Sequence, residues 1–210
     1  GIYGTKLLAD LGAQVIRPES ADGDPLRQRG PFLQSKTGAL SLWHSFFASN
    51  RTFVQVDGAD PSATQTLQRL AEAADIICRC DQSDSAALVD IEAAKRANPG
   101  LVVVELSSFG KEGPWSDYLA PDIVAGALGG AAATTGDAST PPLKNFGDLN
   151  FMISGAYAAI AALSALYHQR NTGQGQSATL SVHESIASCL EQVFMFLLRG
   201  QDACQCPLPV

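Results

Sequence analysis

Short apolar runs alternate with helix-patterned segments between residues 7 and 106, and this alternation restricts the fold more than any other feature of the sequence. Leu7, Leu8 and Leu11 stand at helical spacing before Gly12, and Val15-Ile16 opens the strand that follows. Phe53-Val54-Gln55-Val56 alternates as a strand does. Asp60-Pro61 then starts a helix, because the carboxylate can cap free amides and proline fits the first helical position; Leu67, Leu70 and Ala74 mark its inner face. Ile76-Ile77-Cys78 reads as a short buried strand, 85–97 as a helix stopped by Asn98-Pro99-Gly100, and Leu101 to Leu106 as another buried strand. Strands alternating with helices predict an α/β fold with a mainly parallel sheet and flanking helices.

After Phe109-Gly110 the pattern changes. A loop runs through Trp115, a short Ala/Gly-rich helix starts near Asp122, a turn covers 135–142, and a long helix is expected from Leu149 to Arg170. A strand over 176–182 and a helix over 184–198 follow. The polar stretch from Glu19 to Thr37, with its Gly and Pro, reads as a long loop, and loops of that length are often functional. The apolar run 151–167 is rich in Ala, Gly and Ser and falls short of about 20 strongly apolar residues, which predicts a buried helix rather than a membrane span. Its small residues Ser154, Gly155, Ala158, Ala162 and Ala165 share one face, suited to close packing against another helix, as in a dimer core.

With 210 residues and 46% hydrophobic content, the chain can bury the core of one ordinary domain. A net charge of -7 disfavours a general polyanion binder, so no nucleic-acid partner is expected. Five cysteines, an odd number without framework spacing, point to a reducing compartment, and the cytoplasm is the expected location. No charged segment followed by an apolar stretch opens the chain, so no signal peptide is expected. Residues 1–210 are expected to form a single incomplete domain that begins and ends inside a larger fold.

Asp148 is the residue with most chemical promise. It stands directly before the long helix in Asn145-Phe146-Gly147-Asp148-Leu149-Asn150. One reading makes it an N-cap that accepts hydrogen bonds from first-turn amides, which explains the residue without any function. The other adds that helix-terminal amides keep the carboxylate ionised, which suits a nucleophile toward an activated acyl group. Competing constellations are weaker. His44, His168 and His183 are isolated, and Cys78-x-Cys80 and Cys204-x-Cys206 lack Cys-x-x-Cys spacing, so no metal site is expected. Gly173-Gln174-Gly175 follows a helix and precedes a strand, the reverse of a dinucleotide loop, and reads as a helix stop.

An ordered set of motifs resembles the class III CoA-transferases. It comprises Gly110-Lys111-Glu112-Gly113-Pro114-Trp115, the run from Pro121 to Gly130, Thr134-Thr135-Gly136, Pro141-Pro142, Gly147-Asp148 and Thr172-Gly173-Gln174-Gly175-Gln176. Leu8 to Ile16, Gly23-Asp24-Pro25-Leu26-Arg27 and Asn50-Arg51 are similar to the family's opening helix, strand and loop. The resemblance covers nearly the whole chain and corresponds to the N-terminal half of the family's length. It implies a Rossmann-like large domain and homodimers whose chains interlock like links. It further implies that Asp148 attacks an acyl-CoA thioester to form a mixed anhydride, with coenzyme A moving between carboxylic acids as a substrate rather than a resident cofactor. Arg27 is a candidate for a CoA phosphate through its guanidinium fork, and Gly147 for letting a backbone approach closely.

Two departures from the family pattern stand out. Cys78-Arg79-Cys80-Asp81 replaces the family's Glu-Asn-Phe-Arg-Pro-Gly, whose Asn and Phe lie against CoA. Pro121 occupies the position of the racemase branch's histidine, and proline cannot transfer a proton, which disfavours acyl-CoA racemase chemistry. A non-catalytic copy that only dimerises is the remaining alternative, and the Cys80-Asp81 replacement, together with the expected absence of the family's second half, is its best support.

Overall fold

In the computed structural model the described residues are 2–36, 38–80, 88–137 and 139–200. The central strand, β6 (Val102–Ser107), is flanked by β5 (Ile76–Cys80) and β7 (Ser177–Ser181), both parallel to it. Val102, Val103 and Val104 are at most 1% exposed. A strand covered on both faces needs a continuous apolar run rather than alternation, and Leu101 to Val104 supplies one. A second parallel pair joins β1 (Val15–Glu19) to β4 (Arg51–Gln55), with Ile16 opposite Thr52. The architecture is thus mixed α/β, with parallel strands and helices packed against them.

Helix α6 (Leu149–Thr172) organises the layers. Its small-residue face carries Ala158, Ala159, Ala162 and Ala165, which meet Leu8 of α1 (Ile2–Asp10) and Val102 and Val104 of β6 in one cluster. The α1–α6 crossing is closed by two glycines: a Cβ on Gly4 would lie 2.4 Å from the Gly155 carbonyl oxygen. The small face is therefore occupied within the chain, by α1 and the sheet, and is not left for a second copy. The face left open carries Ile160 and Tyr167, 60% and 73% exposed, together with Leu163. At 24 residues α6 is long and apolar enough to cross a bilayer by length and composition alone, and it packs here as a core helix. Gly173, at φ 74°, ends it by donating to the Gln169 carbonyl at 2.7 Å, the stop expected from the sequence.

The stretch expected to be one long loop has structure of its own. A 3₁₀ turn (Pro25–Gln28) is capped by Asp24, whose carboxylate accepts from Leu26 N at 2.8 Å. An antiparallel hairpin, β2 (Phe32–Ser35) with β3 (Gly38–Ser41), leads into α2 (Leu42–Phe47). The helix α3 (Pro61–Ala73) follows its Asp60 cap as expected, Asp60 accepting from Ser62 N at 2.8 Å. Helix α4 (Ile91–Ala97) is shorter than the sequence suggested, and residues 81–87 lie outside the described set. After β6 come α5 (Asp122–Leu128), α6 and β7, and the expected last helix is divided into α7 (Val182–Ala187) and α8 (Glu191–Leu198). Ile186 of α7, 1% exposed, packs with Leu106, Phe109 and Ala125 in a second cluster.

Candidate active site

Asp148 is the residue before α6, yet its side chain makes no capping hydrogen bond. The cap comes from Asp122, in the first turn of α5. One Asp122 oxygen accepts from Phe151 N at 3.1 Å and the other from Asn150 Nδ2 at 2.9 Å. Asp122 and Asn150 are 5% and 2% exposed. A carboxylate so buried requires compensating partners, and Lys144 Nζ adds a third at 3.3 Å from Asp122. The bland reading of Asp148 as an N-cap is thereby corrected: a residue from another helix satisfies the first turn.

Freed of that role, the Asp148 carboxylate pairs with Arg29 Nη1 through Oδ2. Asp148 in turn raises the Arg29 pKa, chiefly by accepting its hydrogen bond, against a smaller opposing effect of burial. The guanidinium lies over the Trp43 ring, 4.1 Å from its centroid, and Trp43 stacks on Phe47 at 5.1 Å and 11°. Phe47 is buried at 6% exposure, so the stack ties the arginine to the core. The two side chains of the pair remain accessible, Asp148 at 22% and Arg29 at 43%.

Gly147 has φ 65°, a left-handed conformation that a side chain would resist. A Cβ there would stand 3.7 Å from Trp43, an ordinary contact, so the backbone conformation and not crowding explains the glycine. Its carbonyl accepts from Lys144 Nζ, which also reaches the Asn145 carbonyl at 3.0 Å. One lysine thus ties the Gly147 turn to the buried Asp122.

Arg27 points elsewhere. Its guanidinium bonds both Glu19 oxygens, at 3.1–3.3 Å, and sits 5.1 Å from the Phe53 ring centroid. His44 lies between these groups, with Nε2 3.9 Å from Glu19. Burial, and then the Arg27 charge, push its imidazole below the ordinary value. Nearby Arg17 pairs with Asp24 at 2.5 Å, and burial lowers Arg51 to about 10. The structure therefore joins Gly147 to Asp148 and sets Arg27 in a separate basic cluster.

Arg29, Trp43, Lys144, Asp122 and Asn150 were not singled out from the sequence. A buried Asp beginning a helix after Pro121 was visible only as a helix start, and Arg29 sits in a stretch with no periodicity to aim it. Pro121, the N-cap of α5, offers no side-chain cap and no titratable group. On β5, burial raises the Cys78 thiol to about 11, against a thiolate role, and Arg79 pairs with Glu105 at 3.3 Å. Asp81, Cys204 and Cys206 lie outside the described residues. Among the described residues no group of three or more His, Cys, Asp or Glu side chains is gathered to hold a metal.

The pattern of CoA-transferase family III matches residues 1–205, and the chain belongs to that family. It is 28% identical over 196 residues to succinyl-CoA–D-citramalate CoA-transferase of Chloroflexus aurantiacus, covering 92% of this chain and 48% of that protein. It is 30% identical over 200 residues to succinyl-CoA:(R)-benzylsuccinate CoA-transferase subunit BbsE of Thauera aromatica, covering 93% and 48%. A crystal structure of a CaiB/BaiF family protein from Brucella suis superposes with a TM-score of 0.88 at 26% identity, over 96% of this chain and 54% of that one. The chain spans about half the length of the curated relatives it matches.

Proposed function

We propose that the chain carries the nucleophile of a CoA-transferase and moves coenzyme A between carboxylic acids through an aspartyl-acyl anhydride on Asp148. The observation that carries this reading is the placement of the Asp148 carboxylate, which Asp122 relieves of capping and Arg29 holds by an ion pair at an accessible position. A carboxylate is a competent nucleophile toward a thioester carbonyl, and covalent catalysis divides one difficult exchange into easier steps. Charge gathered on the thioester oxygen needs nearby amide donors, and the side-chain-free Gly147 leaves its backbone open to approach. The names of the CoA-transferase relatives support the coarser part of this reading, transfer of coenzyme A between carboxylic acids.

Coenzyme A enters as the thioester substrate, and no resident cofactor is required. The Arg27 cluster is the candidate for a CoA phosphate, with Glu19 as the partner that phosphate would displace. The exposed apolar face of α6, with Ile160, Leu163 and Tyr167, suits a homodimer interface. The acidic net charge disfavours a nucleic-acid partner, and five cysteines without framework spacing suit the cytoplasm. Racemase chemistry is disfavoured by Pro121, which has no proton to move.

The test is transfer itself. Purified protein is incubated with succinyl-CoA and a panel of carboxylic acids, and new CoA thioesters are identified by mass. Transfer that disappears in Asp148→Asn supports the reading. Transfer undiminished in that variant contradicts it, and no transfer to any acid would favour a copy that only dimerises.

A further inference from the structure

Arg29 has no structural task that accounts for its setting. Its backbone is fixed by the 3₁₀ turn, with N–H donating to Leu26 at 3.2 Å, and its carbonyl accepts from the Ser41 hydroxyl at 2.5 Å. Trp43 and Phe47 support the guanidinium from one side. What remains is a half-exposed cation aimed at one oxygen of one accessible carboxylate. Ion pairs this accessible to water contribute little stability, so stability does not explain the arrangement.

We propose that Arg29 is a carboxylate-exchange residue, pairing with Asp148 between turnovers and with the carboxylate of the leaving or entering acid while Asp148 is acylated. The proposal rests on the anhydride reading of Asp148 and follows from its charge balance. With Oδ2 held by Arg29, Oδ1 attacks the thioester carbonyl; the new C–O bond forms, the C–S bond breaks, and the negative charge leaves on the CoA thiolate. Asp148 is then a neutral anhydride and a poor guanidinium partner. The thiolate attacks the Asp148 carbonyl, forming an aspartyl thioester and expelling the donor acid as a carboxylate. The acceptor carboxylate next attacks that thioester and regenerates an anhydride and a thiolate. Finally the thiolate attacks the acceptor's carbonyl, and Asp148 is released as a carboxylate. No proton is gained or lost at any step. Whenever a free carboxylate departs or arrives beside Asp148, Arg29 has just lost its own partner, and a planar fork accepts either carboxylate bidentately.

The test is isotope exchange between succinyl-CoA and labelled succinate in the wild type, Arg29→Lys and Arg29→Met, with circular dichroism to verify folding. Alongside it, the hydroxylamine-sensitive adduct formed from succinyl-CoA is measured in a single turnover. The expected result for Arg29→Met is a KM for succinate raised about 10–100-fold, from the loss of a charge-assisted pair, while the adduct still forms. Arg29→Lys should recover part of that loss, as a merely structural arginine would not require. Should Arg29→Met misfold, Arg29→Lys alone decides, with a KM raised severalfold. An unchanged KM for succinate in a folded variant that still exchanges would overturn the proposal and leave the role of Asp148 standing. No exchange and no adduct in the wild type would overturn both.

Discussion

The Asp122 carboxylate accepts from the Phe151 amide at 3.1 Å, so the first turn of α6 is capped from α5 and not by the residue that precedes it. This divides two roles that sequence alone left on Asp148. Asp122→Ala should therefore lower stability by about 1–3 kcal/mol, since Asn150, and in part Lys144, lose a buried partner. Asp148→Asn should change stability by less than about 1 kcal/mol. Urea denaturation of both variants checks the pair, and comparable losses would put the cap back on Asp148.

The α1–α6 crossing gives a second expectation. Gly4→Ala places a Cβ 2.4 Å from the Gly155 oxygen, where only backbone could move. The helices must separate, costing about 1–3 kcal/mol by overpacking. In the second cluster, Ile186→Ala should cost about 2–5 kcal/mol, because the 1%-exposed side chain leaves a cavity. Thermal melts of these two variants against an exposed control, Leu119→Ala, measure both effects. A Gly4→Ala variant as stable as the control would contradict the described packing.

Stability should fall on mild acidification. Burial and the Arg27 charge favour neutral His44, so its folded pKa lies below the ordinary value of 6.5 and the unfolded chain binds more protons. The stabilisation is fully present above pH 6.5, diminishes as pH falls below that value, and levels off beneath the folded pKa. The difference in urea midpoint between pH 7.5 and pH 5.5 should shrink in His44→Asn. An unchanged difference would assign the pH dependence to other groups.

The fold was largely legible because it rests on patterns with a period or a cap. The apolar run of β6, the Asp60-Pro61 start of α3 and the Gly173 stop of α6 are each local signals, and each holds in the structure. Of the candidate site, the sequence singled out only Asp148 and Gly147 of the residues that lie together. Arg29 was hidden because a loop side chain takes its direction from tertiary contacts, here the 3₁₀ turn behind it and the Trp43 ring beneath it. Arg27, two residues earlier, is turned to Glu19 instead, and spacing alone does not tell which way either side chain points. The small-residue face of α6 was correctly seen as a packing surface, but which partner it meets is a long-range fact that spacing does not contain.

Arg27 offers a prediction separable from catalysis. Arg27→Met should weaken CoA binding about fivefold, the scale of one partly exposed charge pair. Wild-type binding should weaken as salt is raised, and the variant less so. Calorimetry at two ionic strengths reads both effects. Equal affinity for CoA in wild type and variant would remove Arg27 from the CoA site.

The most direct measurement is intact mass spectrometry of the protein after brief mixing with acyl-CoAs, with peptide mapping before and after hydroxylamine. The account predicts an added mass on the peptide containing Asp148, removed by hydroxylamine and absent in Asp148→Asn. An adduct on another residue, or one that survives in Asp148→Asn, would contradict it.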